Sequence, residues 1–411
     1  MLVVLNNTRL LANKIKENTD GNIDFNLVLK GDKEIFIVKD SEYIEPGCIA
    51  TTFDGEKLEV RVMGEANAKK SGEYDIEYSA EYKGVEKKVK RKVIVGENLV
   101  TYITNLYEDS IIRASNNLKK DNTEDKNIRY YGANPNNYVR FNNELWRIIG
   151  IFGNNVKLIR NDRLGWLSWD TSESTVNNGY GINQWGESTD ADGNEYAGAD
   201  LQVYLNKMYY GGDTTITCYG GTKNSIKTCP TGTIDETAKS LIDNHTWNIG
   251  APNHSTLNNS RTSSYDTVEF YKAERGTVNE KICTSGDYCN DTVTRTTEWT
   301  GYIGLPYVTD WAYASSESDC ETNIDNSSTK KCKNNNWMHY GSEYDDKIWY
   351  LSPNAHSFFA SSVWYVRGDG HVDSSAAALL SVFPTIYLKS NVLIESGNGS
   401  TSDPYVLKLG N

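Results

Sequence analysis

Three closely spaced pairs of cysteines constrain the fold of this 411-residue chain more than any other feature of its sequence. The pairs are Cys218 with Cys229, Cys283 with Cys289, and Cys320 with Cys332. Six cysteines allow fifteen connectivities, but pairing each cysteine with its neighbour closes only short loops rich in Thr, Asn, Gly and Ser. We therefore predict three local disulfides, each of which stabilises the fold by about 2–3 kcal/mol in the chain-entropy description.

Disulfides of this kind persist only in an oxidising compartment, so they predict a secreted or cell-surface protein. The alternative is a set of unpaired cytosolic thiols, while a zinc site is disfavoured because no C-x-x-C spacing occurs. Cys48 stands apart from the pairs, and whether it is free stays open. Residues 1–5 are too short an apolar run for a signal peptide. We expect the natural signal or anchor to lie upstream of this chain.

Length and charge narrow the classes of partner. A chain of 411 residues predicts two domains, each large enough to bury its own core. The formal charge of −13, from 55 acidic and 42 basic side chains, repels phosphate backbones and anionic lipid headgroups. No apolar run approaches the roughly 18 residues needed to cross a bilayer. We therefore expect neither nucleic acid nor direct membrane insertion.

The first domain is predicted at residues 24–97, after a segment, 1–23, that we interpret as a linker or the end of an upstream region. Leu58, Val60 and Val62 alternate with charged residues, and turn signals such as Asp54-Gly55 separate the strands. About seventy residues of this pattern are typical of a small β-sandwich.

Four segments of this domain resemble the bacterial Ig-like repeat that also occurs in a pesticidal crystal protein and in many Gram-positive surface proteins. They are residues 43–50, 54–55, 72–78 and 91–95. The resemblance implies a spacer or adhesive stalk and not an enzyme. Cys48 departs from the family, which usually has a small residue there.

The second domain is predicted at residues 128–411, after a helical linker at 98–127. It combines short strands with two helices, one capped by Asp200 and one by a capping box of Thr233 and Glu236. Long Ser, Thr, Asn and Gly loops separate these elements. The fold class is therefore mainly β with α+β content: an Ig-like β-sandwich followed by a larger, disulfide-stapled, loop-rich α+β domain.

Residues 128–407 are similar to a family of uncharacterised extracellular domains of low-GC Gram-positive bacteria. The similarity rests on phrases such as residues 146–149, 302–307 and 384–389. More distantly, the W-x-L-S-P phrase at 349–353 and V-W-x-V at 363–366 resemble the C-type-lectin and formylglycine-generating-enzyme fold. The resemblance implies surface recognition, although fold alone does not establish function.

Enzyme chemistry is disfavoured. The five histidines form no H-E-x-x-H or other ligand spacing, and neither a G-x-S-x-G elbow nor a phosphate-binding loop occurs. We assign no catalytic residue and no cofactor other than calcium as an option. An enzyme similar to the formylglycine-generating enzymes is the remote alternative. Such enzymes need reactive cysteines, whereas the cysteines of this chain lie in short loops that suit inert disulfides.

Two stretches carry the candidate ligand-binding residues. Trp166, Trp169 and Trp185 lie in a Gly- and Asn-rich segment, where flat rings and amides suit a sugar or protein surface. The stretch 354–378 lies between two predicted strands. Its candidates are His356, Trp364, Arg367, Asp369 and His371, and it includes an Arg-Gly-Asp tripeptide. The alternatives are that the rings fill the core and that Asp369 simply belongs to a hairpin turn.

Calcium has one candidate site, formed by the oxygen ligands of Asp190, Asp192 and Asn194. The spacing departs from an EF-hand, and a solvated acidic turn is the alternative. Taken together, these features predict an extracellular surface adhesin or receptor-binding protein for a surface glycan or a host or neighbouring protein. A structural cell-wall or pilus-like component without a small ligand is the alternative.

Overall fold

A computed structural model describes most of the chain and divides it into two compact units. Unit 1 comprises Met1–Asn98 with Lys408–Asn411, and unit 2 comprises Leu99–Leu407. The described residues are 24–170, 184–189, 195–220, 225–250, 266–276, 296–322, 324, 331–340, 347–353, 363–368, 372–375 and 379–410. Strands dominate both units, which confirms the predicted fold class.

Unit 1 is a sandwich of two small sheets. Its strands are β1 (Asn26–Leu29), β2 (Glu34–Val38), β3 (Cys48–Thr51), β4 (Lys57–Leu58), β5 (Arg61–Met63), β6 (Gly72–Tyr82) and β7 (Val85–Asn98). Strands β1, β3 and β4 form one sheet, while β5, β6, β7 and β2 form the other, with β2 parallel to β7. Ile35, Ile76 and Val93 are among the buried side chains between them. Alternation of apolar and polar residues along β6 and β7 produces this core, whereas Val62, which was predicted to alternate with charged residues in a strand, is 58% exposed.

A buried ion pair stabilises the interior of unit 1. The Arg91 guanidinium is fully buried and pairs with the Glu45 carboxylate, which also accepts hydrogen bonds from the hydroxyls of Tyr43 and Tyr78. The Arg91 Nε atom donates to the Asp32 carbonyl at 2.9 Å. These contacts satisfy a charge that would otherwise be costly inside a protein.

Unit 2 begins with the segment predicted as a linker. Helices α1 (Leu99–Glu108) and α2 (Ser110–Ser115) form there as expected. Leu99 and Ile103 are buried, however, and the segment ends in strand β8 (Leu118–Lys120), which pairs with β9 (Ile128–Tyr130). The segment is therefore part of the fold of unit 2 and does not act as a free spacer.

Two larger sheets organise unit 2. The strands of the first are, in spatial order, β20 (Ile303–Gly304), β25 (Thr385–Tyr387), β12 (Asn155–Arg160), β11 (Glu144–Phe152), β10 (Tyr138–Phe141), β27 (Tyr405–Leu409) and β26 (Val392–Ser396). Strand β9 also pairs with β11. Strands β10 and β11 meet at Asn142 and Asn143, whose φ angles of 54° and 58° suit a two-residue hairpin turn.

The second sheet carries the strands that the resemblance singled out. Its order is β13 (Gly165–Leu167), β24 (Leu380–Val382), β21 (Lys347–Pro353), β22 (Val363–Arg367) and β23 (Val372–Ser375). Three two-stranded ribbons complete the described strands: β14 (Ser188–Thr189) with β15 (Glu195–Tyr196), β16 (Cys218–Tyr219) with β17 (Ile226–Lys227), and β18 (His245–Asn248) with β19 (Glu298–Gly301).

Short helices pack around these sheets. They are α3 (Asp200–Val203), which continues as a π-helix at Tyr204–Tyr210, α4 (Glu236–Leu241), α5 (Thr267–Glu274), α6 (Val308–Tyr313) and α7 (Asp319–Thr322). Two predicted caps are wrong. Ala199 and not Asp200 is the N-cap of α3, and the carboxylate of Asp235 caps α4 by accepting the Ala238 N–H at 2.7 Å. The Asp235 carboxylate, which directly precedes the helix, thus takes the place of the predicted capping box of Thr233 and Glu236.

Two of the predicted disulfides are present, Cys218–Cys229 and Cys320–Cys332, and Cys48 is free and half-buried. Cys283 and Cys289 lie outside the described residues. Among the helices that the structure describes, none has the length and apolar character needed to cross a bilayer.

Candidate functional site

An open groove beside Trp166 is the candidate site. Trp166 lies on β13 directly opposite Ser381 of β24, so that both side chains belong to the same face of the second sheet. The groove encloses about 280 Å³ and is lined by Trp166, Lys347, Leu379, Leu380 and Ser381. Small-molecule sites usually enclose roughly 300–1,000 Å³. The volume of the groove lies just below the lower end of this range.

Strand alternation places Trp166 and its neighbour Leu167 on opposite faces of the sheet. Leu167 pairs with Leu380, and both of these side chains are buried. Gly165 is required by a close approach, because a Cβ atom there would lie 2.5 Å from Cγ of Pro230. Trp166 itself is 39% exposed, whereas most tryptophans of the described chain are buried.

Arg163 holds the indole in place. Its guanidinium carbon lies 3.4 Å from the centroid of the Trp166 ring, the distance of a cation–π stack. A ring fixed in this way loses less conformational entropy when a ligand packs against it. The arrangement presents a pre-oriented aromatic surface beside polar groups.

The other predicted tryptophans are core residues. Trp169, Trp185 and Trp364 are fully buried. Trp169 donates its indole N–H to the Tyr350 carbonyl at 3.2 Å and packs against Trp185, while Trp364 packs against Phe270. This corrects the prediction that these three rings form a contact surface, because their large apolar area is removed from water.

Of the remaining predicted site residues, only Arg367 belongs to the part of the chain that the structure describes. Arg367 ends β22 and is exposed. His356, Asp369 and His371 lie outside the described residues, as do the predicted calcium ligands Asp190, Asp192 and Asn194. Within the described ranges no cluster of three or more His, Cys, Asp or Glu side chains is arranged to hold a metal ion.

Sequence reasoning missed Arg163, Lys347, Leu379 and Ser381. Two signals were available for them. Lys347 lies two residues before the W-x-L-S-P phrase, and Arg163 sits in the polar turn that leads into Trp166. Neither signal indicates which distant strands meet, so the groove itself required the structure.

A second candidate, a buried charged centre, is built around Asp310 of α6. One carboxylate oxygen lies 2.7 Å from Arg129 and the other 2.6 Å from Lys157. The second oxygen also accepts the Tyr307 N–H at 2.9 Å, and Arg129 reaches Asp121 at 2.7 Å. All four charged side chains are at most 2% exposed, which leaves no surface for a substrate on them.

Burial perturbs the proton affinities of this centre. Burial lowers the pKa of Lys157 to about 8, even though Asp310 opposes this change. Burial alone would raise the pKa of Asp310, but the charges of Lys157 and Arg129 hold it below its ordinary value. Such shifts accompany catalysis in many proteins. Here they are explained by structural ion pairing in a sealed site.

Glu274 at the end of α5 is the neighbouring buried acid. Its carboxylate accepts hydrogen bonds from the N–H and the hydroxyl of Thr309, and Arg275 lies 3.6 Å away. Burial raises the pKa of Glu274 to about 7, against the opposing effect of Arg275. The folded state therefore favours the neutral acid below about pH 7.

Comparison with known proteins bears on unit 1. Residues 27–95 match the family described as bacterial surface protein, Ig-like domain. The match confirms the Ig-like prediction for this part of the chain and fits an extracellular or surface location. It does not extend to residues 128–407, whose likeness to the C-type-lectin fold stays a prediction, as does a Gram-positive origin.

Similar solved structures add little. A lipoprotein, BT2262, from Bacteroides thetaiotaomicron is 29% identical over 18% of this chain and 39% of that chain, with a TM-score of 0.17. The structure of CBM51-2 in complex with GlcNAc and INT domains from Clostridium perfringens ZmpB is 14% identical over 42% of this chain and 37% of that chain, with a TM-score of 0.16. The chain thus spans about two fifths of each of those chains, and such TM-scores support no argument. A search of curated proteins found no match.

The charged centre predicts a large loss of stability for Asp310→Asn. The substitution leaves Lys157 buried without its counter-charge and removes one of the two carboxylates that pair with Arg129, which costs about 3–5 kcal/mol. All 10 tryptophans lie after residue 145, so that tryptophan fluorescence in a urea titration reports on unit 2 alone. Glu236→Gln, which breaks an exposed pair with Lys239, is the control and is expected to leave the midpoint unchanged. Equal midpoints for both variants would contradict the prediction.

The pH dependence of stability in a Glu274→Gln variant tests the raised pKa of Glu274. Because the folded-state pKa is raised from 4.5 to about 7, the stability contributed by the neutral acid is complete below pH 4.5 and is lost as pH rises through 7. The amide stays neutral, so the variant should gain about 3 kcal/mol over the parent at pH 9 and nothing at pH 4. Urea midpoints measured across this range, with the exposed Glu269→Gln on the same helix as control, check it. A constant difference at all pH values would count against it.

Proposed function

We propose that this protein is an extracellular recognition protein, in which unit 1 acts as a spacer and unit 2 binds a surface glycan or protein at the Trp166 groove. The exposed indole stacked on Arg163 beside an open groove carries the proposal. The Ig-like family match and the two disulfides support a surface location. We propose binding and not catalysis, since the perturbed acids and bases described here are sealed in the core.

The chemistry of the groove suits a sugar ring. A sugar has an apolar C–H face that packs on a flat aromatic ring, and hydroxyl groups that need hydrogen-bond partners at its edge. Trp166 and Leu379 supply the apolar surface, while Lys347 supplies donors. A protein loop with one inserted side chain has the same needs, so glycans and proteins belong in the first screen.

Replacing the indole tests the proposal. Trp166→Ala removes the central apolar contact and should weaken binding at least tenfold, as for a central aromatic residue of an interface. The full, disulfide-intact chain is first screened on glycan and protein arrays, with and without calcium, and each hit is then titrated by calorimetry. Ile111→Ala, which trims another exposed apolar residue outside the groove, is the control. Unchanged affinity in a folded Trp166→Ala variant would refute the proposed site.

A structural role in a surface assembly is the second candidate, and the surface of unit 1 favours it. Val62 and Met63 on β5 are 58% and 65% exposed, and within the described residues β5 is hydrogen-bonded to β6 alone. Val28 and Ile49, paired across β1 and β3, are also exposed. An open strand edge with apolar side chains is a ready surface for pairing with another copy of this chain.

Self-association tests this second role. A Lys on an edge strand opposes edge-to-edge pairing, so Met63→Lys should shift any dimer towards monomer in sedimentation velocity experiments. Ile111→Lys places the same charge on an exposed helix of unit 2 and serves as the control. A parent protein that stays monomeric at all accessible concentrations would exclude this role for β5.

A further inference from the structure

Strand β2, near the start of unit 1, and β7, which ends at Asn98, run side by side in the same direction. All five residues of β2 pair with β7 in this parallel register. Main-chain hydrogen bonds continue past both ends of β2, because the Lys92 N–H donates to the Lys33 carbonyl at 2.9 Å and the Lys39 N–H donates to the Gly96 carbonyl at 2.8 Å. The two strands are therefore joined along the whole of β2.

Parallel pairing determines how tension acts on these strands. The chain reaches β2 from the amino-terminal side and passes from unit 1 to unit 2 after Asn98, the last residue of β7. A pull between these two points draws β2 and β7 along their axes in opposite directions, so that the hydrogen bonds between them are loaded together. If two strands are instead drawn apart from one end, their hydrogen bonds break one after another.

The segment ahead of β2 is held by the other sheet of unit 1. Strand β1 pairs antiparallel with β3 over four residue pairs, and the Lys30 N–H directly after it donates to the Gly47 carbonyl at 2.9 Å. The chain then passes through residues 30–33 into β2. The incoming chain is thus hydrogen-bonded first to one sheet and then to the other.

Arg91 of β7 holds the segment that joins β1 to β2. Its guanidinium donates to the carbonyls of Lys30 and Asp32, at 2.9 Å for Asp32, and pairs with the Glu45 carboxylate. The Arg91 side chain is fully buried, so these contacts are shielded from water. A single residue of β7 therefore adds three side-chain contacts at the point where the chain changes sheets.

A second side chain of β7 reaches the chain ahead of β1. Lys87 pairs with the Asp24 carboxylate, and its ammonium group donates to the Phe25 carbonyl at 2.6 Å. Strand β7 thus contacts the incoming chain at three places: ahead of β1, between β1 and β2, and along β2 itself.

We propose that unit 1 is a load-bearing module, in which the parallel pair of β2 and β7, together with Arg91, forms a mechanical clamp. This inference rests on the proposed role of unit 1 as a spacer, because a spacer between a surface and a bound ligand transmits any force between them. Forced unfolding is governed by the unfolding rate. A barrier that requires several hydrogen bonds to break together lowers that rate, so the resistance of unit 1 should depend on the direction of the pull.

Optical-tweezers experiments on the full, disulfide-intact chain test this direction dependence. In a Cys48→Ala background, one handle is attached at Thr101→Cys, an exposed position three residues after β7. The other is attached either to an N-terminal tag, which shears β2 against β7, or to Ser41→Cys, which opens the pair from the end where β2 stops. We expect the unfolding force to be about twofold higher, or more, for the N-terminal handle. Unfolding of unit 1 from that handle lengthens the chain by about 25 nm, at roughly 3.6 Å per residue.

Two substitutions separate the clamp from general stability. Arg91→Met removes contacts to the loaded segment, and Ile76→Ala removes buried apolar contacts from β6, which lies outside that segment. With the N-terminal handle, we expect Arg91→Met to lower the unfolding force more than Ile76→Ala does, even where both variants lose similar stability in urea.

The outcomes separate this inference from the proposed binding function. Equal unfolding forces for the two pulling directions in the parent chain overturn the clamp. A force that Ile76→Ala lowers as much as Arg91→Met overturns the role of Arg91. Because the pulling experiments use no ligand, their failure leaves binding at the Trp166 groove intact, and unchanged affinity in Trp166→Ala leaves the clamp intact.

Discussion

The carboxylate of Asp310 is the contact on which unit 2 depends most. It joins Arg129 of β9 and Lys157 of β12 to the start of its own helix, α6, through the Tyr307 N–H. Burying these charges costs several kcal/mol each, and the cost is offset only when every partner is in place. The centre therefore fixes the distance between one helix and two strands in a way that apolar packing alone does not.

The groove is tied to this centre by a short piece of chain. Strand β25 pairs with β12, which carries Lys157, and β24, only three residues earlier, pairs with β13, which carries Trp166. Buried Phe383 lies between the two strands. The exposed indole is thus mounted on an element whose position the charged core determines. Rigid mounting of this kind is what a pre-oriented binding surface needs.

Local patterns predicted much of the fold. Alternating residues and turn signals predicted the Ig-like unit, and cysteine spacing predicted two of the disulfides. Contacts between residues that are far apart in the sequence could not be predicted. Arg129 and Asp310 are separated by 181 residues, and no local pattern pairs them. For the same reason, nothing in the sequence distinguished the exposed Trp166 from the buried Trp169, since burial depends on which distant strands cover a ring.

The Cys218–Cys229 bridge makes the surroundings of the groove depend on the redox state of the protein. It closes the ribbon on which Lys227 lies, and Lys227 is the register partner of Cys218 itself. Pro230, next to the bridge, also packs against Gly165 of β13. The bridge therefore holds this ribbon and the adjoining Pro230 beside the strand that carries Trp166. In a reducing environment this ribbon is untethered, and the strand that carries Trp166 loses a neighbour that the bridge holds in place.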